Sequence, residues 1–260
     1  MSDDAAGIQL TPLEPVAQPV GIGADDGLSD LYTYPDGLQR CWVRGNMISS
    51  LDGGATEGGK SGGLGGAGDR ALFKLMRQRA DVILMGAATV RIENYSGAQL
   101  TVAQREARQR RGQAEVPPIA VITGSGDLDH DSKFFTRTEV APIILTGSNA
   151  VADTRHRLGS VAEVIDASGA DPARVDPAVA LRVLAERKLF RVLTEGGPGM
   201  LGLLIENDLL DELCLTVAPV LVGGIARRIA TGPGQVHTLM RRSHVLTDED
   251  GYLYTRYVRR

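Results

Sequence analysis

Apolar and polar positions fall into regular blocks from Cys41 onward. Residues 42–48 read as a strand, and a stretch dense in glycine follows, with nine glycines in residues 53–68. Leu72, Leu75 and Met76 then recur at helical spacing, with Asp69 expected as the N-cap of their helix. Residues 82–85 form a short apolar run bounded by Asp81 and Gly86, the pattern of a buried parallel strand. Residues 101–111 read as a polar, exposed helix, and residues 119–123 and 143–146 as apolar runs, each closed by glycine. Asp176-Pro177 pairs an N-cap with proline at the first helical position, opening a helix through Val179, Leu181, Val183 and Leu184 towards Lys188. Residues 190–194 give the next strand, and Pro198 opens the next helix. Residues 214–221 and the period-two run 252–258 read as late strands.

Strands that alternate with helices predict an α/β fold: a mostly parallel central sheet with helices on both faces and an antiparallel C-terminal part. No repeat or low-complexity linker divides residues 31–260, which are expected as a single domain. Residues 1–30 are expected as a tail or arm, because Pro12, Pro15 and Pro19 interrupt any apolar period.

Composition narrows the class of function. The chain of 260 residues is 43% hydrophobic and 23% charged with a net charge of −4, which supplies a core and argues against disorder. A mildly acidic balance also argues against a nucleic-acid coat. The longest apolar stretch, residues 213–226, ends in Arg227-Arg228 and falls short of the roughly 20 residues that a membrane span needs. The start Met1-Ser2-Asp3-Asp4 lacks the basic and apolar regions of a secretory signal. Cys41 and Cys214 suit buried thiols rather than a disulfide framework, so a soluble cytoplasmic protein is expected.

Several chemistries lack their residues. His130, His156, His237 and His244 are not at metal-ligand spacing, so no metal site is expected. The acidic run from Asp127 to Asp131 resembles a calcium loop but has Ser132 at the turn glycine and Thr138 at the bidentate glutamate.

Gly-x-Gly-x-x-Gly occurs twice. The first, Gly63 to Gly68, follows only more glycine, and a mobile loop is favoured there. The second, Gly197 to Gly202, follows a strand and opens a helix, so its N–H groups and helix dipole suit a phosphate or pyrophosphate. Pro198 donates no N–H, and the acidic residue of a dinucleotide fingerprint is missing, which ranks an ordinary Rossmann dehydrogenase low. A tight turn without a ligand is the alternative. Gly86-Ala87-Ala88-Thr89-Val90 repeats the logic at another strand end, where small residues let a flat ligand lie against the backbone and Thr89 offers a hydroxyl.

Four pieces in this order resemble the pyrimidine reductases of riboflavin biosynthesis, the reductase domain found C-terminal to a zinc deaminase in bifunctional proteins. They are Ser50-Leu51-Asp52-Gly53, Arg77 within Leu-Met-Arg, residues 81–90, and Leu193-Thr194-Glu195-Gly196-Gly197-Pro198-Gly199 followed by Asp211-Glu212 and residues 219–224. The resemblance implies a dihydrofolate reductase-like fold, a homodimer, and NADPH as hydride donor to the imine of an aminouracil ribose-phosphate. It implies cofactor contacts at Thr89, Glu93, Gly196, Gly197, Pro198, Gly199, Met200 and Leu201, with Gly86, Ala87 and Val90 beside them. Leu64 falls where the family has a cofactor-contacting tryptophan, and Gly62 where it has a substrate-contacting serine. Substrate contacts carry over to Arg77 and Glu195, with Glu195 also a catalytic candidate. A family arginine expected beyond Thr89-Val90 has no counterpart here, and no deaminase signature accompanies the domain.

The same helix offers a second reading. Asp69-Arg70-Ala71-Leu72-Phe73-Lys74 resembles the start of the dihydrofolate reductase helix whose carboxylate grips the pterin, so Asp69 is a catalytic candidate as well as a candidate cap. Arg77 lies near the same helix face, with a surface arginine as the alternative. Asp52 is expected to fix a turn, and Thr123 and Ser125 are candidates for a cofactor 2′-phosphate, with plain turn residues as the alternative. Three functions follow: pyrimidine ribosylamine reduction, pterin reduction in the same crevice, and nucleotide-binding regulation without turnover.

Overall fold

A computed structural model describes residues 27–260, so most of the expected N-terminal tail lies outside the described residues. Contacts divide the chain into residues 1–33 and 34–260. In the first unit the described element is a short helix, α1 (Gly27–Leu31).

The second unit is built on a nine-stranded sheet. Its strands are β1 (Trp42–Ser50), β2 (Val82–Gly86), β3 (Ile119–Ile122), β4 (Ile143–Thr146), β5 (Glu163–Asp166), β6 (Arg191–Thr194), β7 (Glu212–Ala218), β8 (Met240–Thr247) and β9 (Leu253–Arg259), in the spatial order β5-β4-β3-β2-β6-β1-β7-β9-β8. Strands β5 to β7 of that order are mutually parallel, whereas β9 pairs antiparallel with both β7 and β8. The parallel sheet with an antiparallel C-terminal part is thus the observed one. Helices α2 (Ala67–Arg79), α3 (Ala87–Ile92), α4 (Val102–Arg110), α5 (Lys133–Thr136), α6 (Ser148–Leu158), α7 (Pro177–Glu186) and α8 (Pro198–Glu206) flank it. The core gathers apolar side chains of the central strands, such as Val43, Leu84 and Val192, against α7 and α8 through Leu181, Leu184, Leu201 and Leu204.

Local chemistry sets the boundaries. Thr101 caps α4 in a reciprocal capping box with Gln104, and Asp176 caps α7 by accepting N–H bonds from Ala178 and Val179. Strand β7 stops at Ala218, three residues before the expected end, where Pro219 removes a ladder donor. Asp69 is not the cap of α2. Gly66 takes that position and Asp69 sits in the first turn, because the helix begins three residues earlier than a cap at Asp69 would place it.

The glycine stretch folds as consecutive tight turns. Ser50 and Gly54 close the first, and Glu57 and Lys60 pair across Gly58 and Gly59, whose φ values of 56° and 83° are the left-handed pair that a tight hairpin turn requires. A 3₁₀ turn, Gly62–Leu64, leads into α2.

Arg108 anchors the other end of α2. It is fully buried, and its guanidinium donates to the carbonyls of Arg77, Gln78 and Ala80, while Arg111 also reaches Gln78 and Gln113 reaches Arg79. These bonds satisfy the carbonyls that a helix leaves open at its C-terminus.

Candidate active site

A cavity of about 850 Å³ lies at the carboxyl ends of the parallel strands β1 and β6, where open α/β sheets place ligands. Asn46, Met47 and Ile48 of β1 form its floor, and Glu195 enters from the end of β6. Asp69, Arg70 and Phe73 of α2 form one wall, with Thr89 and Ile92 of α3 and Glu93 at its C-cap beside Tyr95. Val222, Gly223, Ile225, Ala226 and Arg227 add a further wall with Ala55 and Thr56.

Glu195 is the most constrained group there. Its Oε1 accepts Arg77 Nε at 2.7 Å, and its Oε2 accepts Arg77 Nη2 at 2.7 Å and the Tyr95 hydroxyl at 3.0 Å. The Arg77 guanidinium also lies 4.2 Å from the Phe73 ring centroid and 5.6 Å from that of Tyr95. Burial works against the charge on Arg77, but Glu195 outweighs it and raises the guanidinium above its ordinary pKa. Burial, reinforced by Glu195, pushes the Tyr95 hydroxyl well above its ordinary range, so Tyr95 remains a neutral donor.

Asp69 lies half-buried on the wall. Burial pushes its carboxyl pKa up against the opposing pull of the Thr216 hydroxyl and the Arg70 charge. Glu93 accepts both the N–H and the hydroxyl of Ser61 at 3.0 Å, tying α3 to the turn that precedes Gly62.

The turn from Glu195 to Gly199 brings a helix start into the same space. Gly86 N–H donates to Gly196 O at 3.0 Å, and Gly196 has a φ of 85°. The Gly196–Gly197 peptide is cis. Gly197 caps α8, and Leu201 N–H is the donor to its carbonyl, so the N–H groups of Gly199 and Met200 precede the first bond within the helix. A Cβ on Gly197 would lie 2.8 Å from Thr89 Oγ1, whereas one on Gly199 would meet open space.

Asp52 performs the turn-fixing role expected of it and also clasps a distant loop. It accepts the Ser50 hydroxyl at 2.5 Å, Val222 N–H at 3.2 Å and Gly223 N–H at 2.7 Å, which lowers its carboxyl to about 2.

The structure therefore gathers Gly62, Asp69, Thr89, Glu93, Glu195, Gly197 and Pro198 around one cavity. Others of the expected residues do not line it. Arg77 stands behind Glu195; Leu64 is buried beneath, its carbonyl accepting the Tyr252 hydroxyl at 3.0 Å. Ala87, Val90, Met200 and Leu201 are buried apolar side chains, and Gly86 and Gly196 bond to each other. Thr123 is buried outside the cavity, and its hydroxyl accepts Gly126 N–H at 3.0 Å. Asn46, Met47, Tyr95 and Arg227 were not marked as site residues by the sequence pattern, whereas Phe73 belonged to the motif that begins at Asp69; the aromatic Tyr95, inside the segment where a family arginine is missing, carried the nearest available signal.

Comparison with known proteins agrees with this geometry. A reductase named 2,5-diamino-6-ribosylamino-4(3H)-pyrimidinone 5′-phosphate reductase, from Archaeoglobus fulgidus, is 26% identical over 186 residues, covering 71% of this chain and 83% of its own length. The riboflavin biosynthesis protein RibD of Chlamydia trachomatis is 29% identical over 184 residues, covering 68% of this chain but 46% of that longer protein. A crystal structure of a pyrimidine reductase-like protein from Corynebacterium diphtheriae superposes with a TM-score of 0.76 at 26% identity, covering 85% of this chain and 92% of that one. The sequence profile of the RibD C-terminal domain matches residues 41–254, and the chain belongs to that family.

Proposed function

We propose that the chain is a reductase that uses NADPH to reduce a ribosylaminopyrimidine phosphate in riboflavin synthesis. One observation carries the reading: the open start of α8 beside Thr89 shares a cavity with the Glu195–Arg77–Tyr95 cluster. Both halves of a reductase site meet there. The small residues fit the cofactor, since Gly197 keeps the Thr89 hydroxyl clear and Gly199 leaves space over the N–H groups at the helix start. When bound, the nicotinamide supplies the hydride, and the protein positions the reactants.

Each remaining task suits a residue of this chain. A carboxylate offers about four acceptor sites, and Arg77 and Tyr95 occupy three of those on Glu195, leaving about one for an N–H of a pyrimidine. Reducing an imine adds a hydride to carbon and a proton to nitrogen. The raised carboxyl of Asp69 supports a role in holding that proton. Glu93, bonded to Ser61, closes the side of the cavity nearest Thr89.

Loss of nicotinamide absorbance with the ribosylaminopyrimidine phosphate as substrate tests the function. Calorimetric titration with NADPH and NADH tests the cofactor. Tight NADPH binding with steady turnover is the expected result; binding without turnover would leave the regulatory alternative.

Asp69 favours a second substrate. A half-buried carboxyl held by Thr216 at the cavity wall can accept two N–H bonds from a pterin, so dihydrofolate reduction is a second reading of the same site. A rate with dihydrofolate comparable to that with the pyrimidine would establish it.

A homodimer completes the reading. The exposed side chains of Leu51, Val220 and Leu221, on backbones joined by a bond of 2.9 Å from Leu51 N–H to Val220 O, supply apolar surface that an interface would cover. Light scattering gives the mass directly.

A further inference from the structure

A substrate that carries a phosphate needs a cation, and the cavity is rich in the opposite charge. Glu57, Asp69, Glu93 and Glu195 line it, against Arg70 and Arg227. Arg77, the cation carried over by family resemblance, is engaged elsewhere. Its Nε and Nη2 both donate to Glu195, its plane lies over Phe73, and it is not among the lining residues. Drawing Arg77 towards a phosphate would strand a buried carboxylate, since the Glu195 side chain is only 2% exposed. Arg70 is partly engaged as well, donating to Gly65 O at 3.0 Å.

Arg227 differs from both. Its side chain is exposed at the cavity and has no hydrogen-bond or ion-pair partner among the described residues. Its backbone is nonetheless held in place. Ala55 N–H donates to Arg227 O at 2.8 Å, and the loop leading to Arg227 is fastened by Leu51 N–H to Val220 O at 2.9 Å and by the two N–H bonds to Asp52. Gly54 packs against Val222 and Ala226, where a Cβ would come within 2.5 Å and 3.0 Å of their side chains. A fixed backbone carrying an uncommitted guanidinium is the arrangement that phosphate recognition uses.

We infer that Arg227 receives the phosphate of the substrate and so replaces the family arginine that this chain lacks. The inference rests on the proposed function, and it sets substrate preference: the Arg227 wall selects the phosphorylated ribosylaminopyrimidine over its 5′-hydroxyl counterpart. The hydride and proton steps remain with groups other than Arg227.

The test is steady-state kinetics of wild type, Arg227→Gln and Arg227→Lys on 2,5-diamino-6-ribosylamino-4(3H)-pyrimidinone 5′-phosphate and on the same compound without its phosphate. Losing a charged hydrogen bond predicts a KM for the phosphorylated compound raised by about 10- to 100-fold in Arg227→Gln, with kcat held and partial recovery in Arg227→Lys. The unphosphorylated compound and the NADPH Kd should not respond. An unchanged KM in Arg227→Gln overturns the inference, and so does a fall in NADPH affinity with the substrate KM intact. Wild-type protein that binds NADPH but leaves the phosphorylated compound untouched overturns the proposed function itself, a result visible before any variant is compared.

Discussion

Arg77 and Glu195 meet through two parallel bonds of 2.7 Å, although 117 residues of chain separate them. One side chain comes from α2 and the other from the end of β6, so the pair locks a helix to the sheet at the cavity. Tyr95 completes the carboxylate's shell from the segment after α3. A bidentate pair this buried is specific in geometry, and removing either partner leaves a charge with no compensation.

Glu195→Ala is expected to cost stability on the order of 3–5 kcal/mol by leaving Arg77 buried and alone, together with most turnover. Arg77→Ala should resemble it, because the two act as one unit. NADPH affinity should change little in both, since the helix start that suits the cofactor lies in α8. Chemical denaturation and calorimetry on the same samples separate the effects; full activity in both variants would remove the pair from the site.

Gly199→Ala probes the cofactor half without disturbing the fold. A Cβ at this position meets nothing within 4 Å, and alanine in a helix is favoured over glycine by roughly 0.5–1 kcal/mol. The variant should therefore melt no lower than wild type. If a pyrophosphate lies over the helix start, the added methyl group takes its space, and NADPH Kd should rise by about tenfold or more. Unchanged affinity would move the cofactor away from α8.

Strands β2, β3, β4 and β6 were legible because they are buried on both faces and read as short apolar runs between turn residues, whereas β5, with Glu163 and Asp166 exposed, left no such run. Helix α7 was equally legible through Asp176 and Pro177. Helix α6 was not, because only Thr154 and Leu158 are buried on it and a polar helix leaves no apolar period. Strand β8 is an edge strand whose residues Arg241, Arg242 and Ser243 are exposed, so it lacks the alternation that β9 shows. The glycine fingerprint at Gly197 marked a helix start, but sequence could not tell that Met200 and Leu201 turn into the core while Thr89 faces the cavity. The distant pairings of Arg77 with Glu195 and of Asp52 with Gly223 have no local spacing from which to read them.

Asp69→Asn separates a functional carboxyl from a structural one. The folded-state pKa of Asp69 is raised, so its ionised form weighs against folding: the stability it contributes is present below the unfolded value of about 3.9 and is lost as pH rises through the folded value. Asparagine removes that pH-dependent loss. Asp69→Asn should melt at or above wild type near neutral pH, with the advantage gone in acid. Reduction should slow by about 10²–10⁴-fold if the carboxyl manages the proton. An undiminished rate with both pyrimidine and pterin would leave Asp69 as a helix-turn residue alone.

Asp52 makes the opposite prediction. Its carboxyl is lowered to about 2, first by the Ser50 hydroxyl and then by the N–H groups of Gly223 and Val222. A depressed pKa means that the ionised form favours folding: its contribution is present above the unfolded value of about 3.9 and disappears as pH falls through about 2. Wild type should thus lose stability between about pH 4 and pH 2 more steeply than Asp52→Asn, which cannot titrate there. The same substitution loosens the clasp on the loop that leads to Arg227 while leaving Glu195, Arg77 and the α8 start in place. Asp52→Asn is therefore expected to raise the substrate KM more than the NADPH Kd. Equal slopes of melting temperature against pH in the two proteins would show that the Asp52 bonds do not hold the loop.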